Sequence, residues 1–120
     1  LEQRLDIEVV YSAIDLHILS SLGEAFPNVV AEAMSSETPC ISTDVGDASF
    51  IIGSTGWLSR PKDFMHLNEV ISLAIDEFFF NRSEWNDRKL KCRKRINDKF
   101  SLKTVVNNYH DLWNDVHDRQ

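Results

Sequence analysis

The run Ser20-Ser21-Leu22-Gly23-Glu24-Ala25-Phe26-Pro27-Asn28-Val29-Val30-Ala31-Glu32-Ala33-Met34 constrains this chain more than any other part. It follows Asp15-Leu16-His17-Ile18-Leu19, which reads as a short strand bounded by polar residues. Pro27 suits the first helical position, where a missing N–H has no intrahelical partner to lose. Val29, Val30, Ala33 and Met34 then fall on one face of a helix from Pro27 to about Glu37. A strand, a short loop and a helix start form the junction at which open α/β sheets bind ligands, beyond the carboxyl end of the strand. Free N–H groups and the positive end of the helix dipole favour a phosphate there. Glu24 precedes the helix start and Glu32 lies inside the helix. Carboxylates accept from hydroxyls, so a ligand with both phosphates and sugars would use the whole junction.

The rest of the chain is compatible with that junction. Asp6 to Ile14 reads as a helix, Cys40 to Thr43 as a second strand and Ala48 to Ile52 as a short helix. Gly53-Ser54-Thr55-Gly56 is a turn, and Gly56 to Ser59 a third short strand. Asp63 is a cap for a helix through about Phe80, Ser83 for another, and Ser101 for the last. Val105, Val106, Tyr109, Leu112, Trp113 and Val116 make the stripe of that last helix. The alternation is α/β with parallel strands, but it supplies only about three, where such sheets usually carry more.

Glu24 to Glu32 resembles the Glu-x7-Glu motif of the retaining, nucleotide-sugar-dependent glycosyltransferases with the GT-B fold, the group 1 or family 4-like enzymes. Asp15-Leu16-His17-Ile18-Leu19-Ser20-Ser21, Thr38-Pro39-Cys40-Ile41-Ser42-Thr43-Asp44-Val45-Gly46 and Gly56-Trp57-Leu58 resemble the flanking family segments, in the family's order. The resemblance runs from about Leu1 to Asp63. Two positions depart from the family pattern: Glu37, where Gly is usual, and Ser20, where Pro is frequent.

The resemblance implies a Rossmann-like parallel sheet with flanking helices, the C-terminal half of a GT-B donor-binding domain. Residues 1–62 would be its nucleotide-sugar-binding part and 63–120 its C-terminal helices. The parent would move a sugar from a nucleoside diphosphate to a glycan or other acceptor with retention of configuration. Glu24 would contact the donor sugar and act at the reacting centre, and Glu32 would accept from the ribose hydroxyls. Ala25, Phe26, Asn28 and Val29 would offer backbone N–H groups, and Gly23 would permit close backbone approach. An N-terminal acceptor domain and the basic residues that clasp the diphosphate would lie outside this chain, so the chain alone is expected to be inactive. Part of the Tyr109–Leu112–Trp113 stripe would then be exposed, which favours self-association of the fragment.

Each of these residues also has an ordinary reading. Glu24 would favour a helix dipole, Glu32 would be an exposed helical Glu, and Gly23 a turn glycine. A non-catalytic interaction module that kept the fold is the alternative function. A response-regulator-like domain fits less well, because Asp15 begins its strand rather than ending it.

Composition narrows the remaining classes. At 120 residues, with 42% hydrophobic and 27% charged residues, one domain is expected. The chain begins with Leu1 rather than a methionine, as a piece of something longer would. No apolar run reaches the roughly 20 residues of a membrane span, and no signal peptide is visible. Cys40 and Cys92 read as reduced thiols of a cytoplasmic protein. The net charge is −6, and the only bases up to Arg60 are Arg4 and Arg60, which argues against a nucleic-acid partner. Arg88, Lys89, Lys91, Arg93, Lys94, Arg95 and Lys99 form a basic run. The ordinary reading is a solvated helix face; the other is peripheral contact with the inner membrane face. His17 reads as a packed histidine, and His66, His110 and His117 form no metal-ligand pair. Asp44 and Asp47 flank Gly46, but the family resembled needs no metal here, so neither metal nor cofactor is expected.

Overall fold

The computed structural model describes residues 4–117. In chain order they form α1 (Ile7–Ala13), β1 (His17–Leu19), α2 (Asn28–Ser35), β2 (Cys40–Thr43), α3 (Ala48–Ile52), β3 (Trp57–Ser59), α4 (Phe64–Phe80), α5 (Arg82–Phe100) and α6 (Leu102–His117). The three strands make one parallel sheet in the order β1-β2-β3. β1 is an edge strand among the described residues, and Ile18 on it is exposed.

β2 explains the layering. Its successive side chains point to opposite faces. Cys40 packs with Tyr11, Val30, Ala33, Met34, Ile51, Ile52, Cys92 and Ile96, so α1, α2, α3 and α5 cover one face. Ile41 packs with Val70 and Ala74, so α4 covers the other. Every residue of β2 is buried, as expected for a parallel strand sandwiched by helices. Trp85 is buried against Trp57 and Phe78 and ties α5 to β3 and α4.

Several local expectations are met by direct hydrogen bonds. Asp63 accepts from the His66 N–H at 2.9 Å, which with Arg60 holds its carboxyl below the usual range. Ser101 Oγ accepts from the Thr104 N–H at 3.2 Å. Others shift. Asn81, not Ser83, caps α5, because its side-chain oxygen accepts from the Glu84 N–H. Pro27 is the N-cap of α2 rather than its first helical residue. β1 starts at His17, two residues later than Asp15. Val29 is 39% exposed while Val30, Ala33 and Met34 are fully buried, so the apolar face of α2 is narrower than periodicity implies.

The basic run divides by role. Arg88 is a structural staple: it bonds Glu77 through two nitrogens at 2.7 Å and lies over the Trp57 ring. Arg95 donates to the carbonyls of Phe50 and Ile51. Lys91 pairs with Asp87, Lys94 with Asp98 and Arg93 with Glu37. Much of the positive charge is thus balanced at short range. α6 buries none of its residues, and Tyr109 and Trp113 are 70% and 76% exposed.

Candidate functional site

The β1–α2 connection places Glu24 at the carboxyl end of β1. Ser21 Oγ donates to Glu24 Oε1 at 2.6 Å, which restrains the carboxylate without removing its other oxygen. The loop itself is tied to the next strand. Thr43 Oγ1 donates to the Ser21 carbonyl at 2.6 Å, and the Asp47 N–H donates to the Ala25 carbonyl at 2.9 Å. Gly46, at φ +52, makes this close approach feasible. A Cβ there would lie 2.2 Å from the Ala25 oxygen and 2.3 Å from the Glu24 oxygen. The Gly46 loop therefore borders the site by supporting its backbone. Gly23 has open space around it and needs no such explanation.

The loop also presents donors. Among the described residues, no acceptor is bonded to the backbone N–H groups of Ala25, Phe26, Asn28 and Val29. Unpaired N–H groups at a helix start are the usual complement of an anion.

Glu32 lies one turn beyond Asn28 on the exposed side of α2. It lines a groove of about 590 Å³ together with Phe26, Asn28, Ser35 and residues of α3, α5 and α6, Lys99 and Tyr109 among them. Phe26 and Phe50 each meet the Phe100 ring edge-on along this groove. The structure thus brings Phe26, Asn28 and Glu32 to one cavity. Glu24, Gly23 and Val29 are not on its wall; they sit on the neighbouring loop and helix start.

Tyr11 is the buried residue of α1. Its ring is buried, 6% exposed, and packs edge-on against His17. Burial first, and the negative charge of Glu32 second, push its phenol's pKa up.

The remaining titratable groups do not build a reaction centre. His17 is half-buried, its Nε2 has no partner among the described residues, and burial lowers its pKa. Burial raises Cys40 well above the usual thiol range and Cys92 to about 11, so both stay neutral, unreactive thiols near pH 7. Among the described residues no group of His, Cys, Asp and Glu side chains is placed to hold a metal ion. No described helix is long and apolar enough to cross a membrane.

A parallel sheet covered by helices on both faces is an open α/β fold, the class in which ligand sites lie beyond the carboxyl ends of the strands. The profile of the family described as "Glycosyl transferases group 1" matches residues 1–77. The chain belongs to that glycosyltransferase family. It is 32% identical over 106 residues to the N-acetyl-alpha-D-glucosaminyl L-malate synthase of Bacillus anthracis, a match over 85% of this chain and 26% of that enzyme. Among solved structures it resembles a glycosyltransferase from Rickettsia africae, with TM-score 0.83, 19% identity, and coverage of 98% of this chain and 31% of that one. It also resembles Anabaena HepE in complex with UDP and glucose, with TM-score 0.77, 22% identity, and coverage of 93% and 30%. These neighbours define the fold as part of a GT-B glycosyltransferase. The chain spans between a quarter and a third of the length of the relatives it matches.

Proposed function

We propose that the protein carrying this chain moves a sugar from a nucleoside diphosphate sugar to a glycan or other acceptor with retention, and that this chain is part of its donor site. The observation that carries this is the β1–α2 junction, where a restrained Glu24 stands beside unpaired N–H groups and ahead of α2, whose second turn carries Glu32. Family membership supports sugar transfer in general, and the UDP and glucose held by the HepE neighbour make UDP-sugars the first donors to try.

In this reading the sugar hydroxyls meet Glu24, whose negative charge also stabilises positive charge developing on the sugar ring as the diphosphate departs. The N–H groups of Ala25, Phe26, Asn28 and Val29 face the sugar and phosphates, and Gly23 keeps the loop slim at its approach. Glu32 accepts from the two adjacent ribose hydroxyls. Residues 1–62 form the binding part and 63–120 its helical support. Bases for the diphosphate and the acceptor domain come from elsewhere in the parent. No metal takes part, because N–H donors and basic side chains balance the diphosphate.

Calorimetry on the full-length protein tests this. Glu32→Ala is expected to weaken nucleotide binding by about 1–3 kcal/mol, the range for a lost charged hydrogen bond. Glu24→Ala is expected to cut turnover with little change in nucleotide affinity. Wild-type protein that binds no nucleoside diphosphate sugar would instead favour a non-catalytic module.

A further inference from the structure

We propose that the hollow between the α3–β3 turn and α5 is a second anion site, in which Arg95, Lys91, Lys94 and Lys99 hold a phosphate or diphosphate group. Its existence does not depend on the donor roles of Glu24 and Glu32.

The hollow has a volume of about 240 Å³, and its walls include Ser54, Lys91, Lys94, Arg95, Asp98 and Lys99. Four cations thus converge on one place in a chain whose net charge is −6. Asp87 pairs with Lys91, and Asp98 pairs with Lys94. Two carboxylates therefore face four cations, and two positive charges are left over. That surplus matches a phosphate dianion.

Arg95 is the fixed point of the site. Its Nε donates to the Ile51 carbonyl at 2.7 Å, and its Nη2 donates to the Phe50 carbonyl at 2.6 Å. Gly53 makes room for the guanidinium, because a Cβ there would lie 2.5 Å from Arg95 Cζ. These partners are neutral carbonyls, so they leave the charge uncancelled and the other N–H groups of the fork available. A fork already held in place loses little freedom when it takes up an anion. Lys99 and the Ser54 hydroxyl have no bonded partner among the described residues. Lys91 and Lys94 are paired only with exposed carboxylates. Such pairs hold weakly, and each ammonium has further donors to turn toward an anion.

Size and surroundings define the occupant. The hollow is smaller than the usual small-molecule pocket, which suits a phosphate or diphosphate rather than a whole nucleotide. Asp87 and Asp98 at its margin disfavour an extended polyanion. The α3–β3 turn precedes β3, whereas the Glu24 loop follows β1, and the strands are parallel. The hollow therefore begins at the opposite end of the sheet from the donor junction. It runs along α5 to Lys99, which also lines the Glu32 groove.

A soluble diphosphate and the phosphate of an anionic lipid headgroup present the same oxygens, so the test has an arm for each. In the first, pyrophosphate is titrated into the full-length protein by calorimetry, with and without saturating UDP. In the second, the protein is sedimented with phosphatidylcholine vesicles with and without phosphatidic acid. The variants are Lys94→Gln combined with Lys99→Gln, and Ser54→Glu, which puts a negative charge into the hollow without removing a cation. Ser54, Lys94 and Lys99 are exposed, and urea midpoints check that the variants fold. Wild type is expected to bind pyrophosphate saturably, with UDP causing no competition. Each variant should weaken that binding by about tenfold or more, the size of a charged hydrogen bond, and Glu32→Ala should not. Recruitment by phosphatidic acid that Ser54→Glu abolishes assigns the phosphate to a lipid, and pyrophosphate binding without recruitment assigns it to a soluble ligand. Binding that survives both variants, binding that UDP displaces competitively, or the absence of binding in both arms overturns the site.

Discussion

Glu37 occupies the left-handed region, at φ +62, directly after α2 and before the buried Thr38-Pro39 entry to β2. A left-handed conformation costs an L-residue roughly 1–2 kcal/mol because its Cβ crowds the backbone, which accounts for the Gly usual here in similar enzymes. This chain offsets part of the cost with an ion pair: Glu37 meets Arg93 of α5 at 3.1 Å, both side chains partly exposed. Such a pair contributes about 0–1 kcal/mol. Three variants separate the terms. Glu37→Ala loses the pair and keeps the strain, so it is destabilised by up to about 1 kcal/mol. Glu37→Gly also loses the pair but removes the strain, against a cost of about 0.5–1 kcal/mol for the freer unfolded chain. Gly should therefore be more stable than Ala here by about 0.5–1 kcal/mol, the reverse of their order inside a helix. Arg93→Ala should resemble Glu37→Ala. Urea unfolding followed by the fluorescence of Trp57 and Trp85, stacked 6.1 Å apart, reports the midpoints. If Ala at this position equals or exceeds Gly, the left-handed strain is not what governs this turn.

Other expectations follow from the same geometry. Gly46→Ala puts a Cβ onto the Glu24 and Ala25 carbonyls, so it should displace the β1–α2 loop and weaken donor binding even where the protein still folds; unchanged donor affinity by calorimetry would refute the support role. His17 is disfavoured as a cation by burial, so the folded state resists the proton that the unfolded state accepts below about pH 6.5. Its stability contribution is present above that pH and lost as pH falls toward the depressed folded value; His17→Phe should flatten the decline in urea midpoint between pH 7 and 5, and an identical slope would refute this. These 120 residues alone should show no transfer or donor hydrolysis and should self-associate through the exposed Tyr109–Trp113 stripe; robust turnover in a glycosyltransferase assay would overturn the half-site reading, and a monomer at high concentration by light scattering would overturn the association.

The sequence by itself determined the order of elements, the caps at Asp63 and Ser101, and the junction that carries Glu24 and Glu32. Those features depend on hydrogen bonds and periodicity spanning a few residues, which a linear reading reaches. It also marked Glu37 as a departure, without the backbone angle that makes it one. Tertiary structure alone decided the rest. Val29 leaves the core because packing against α5 and the sheet selects only part of an apolar helix face. Gly46 matters because a second strand's loop passes beneath the first. Arg88 and Arg95 look like members of a solvated run, yet their partners lie 11 residues away at Glu77 and 44 and 45 residues away at Ile51 and Phe50. Tyr11 meets the His17 ring of β1 and takes the Thr38 hydroxyl on its carbonyl, 27 residues away, only because α1 docks against the sheet and α2. Contacts of that kind arise from how whole elements fill space, so no local pattern of residue types announces them.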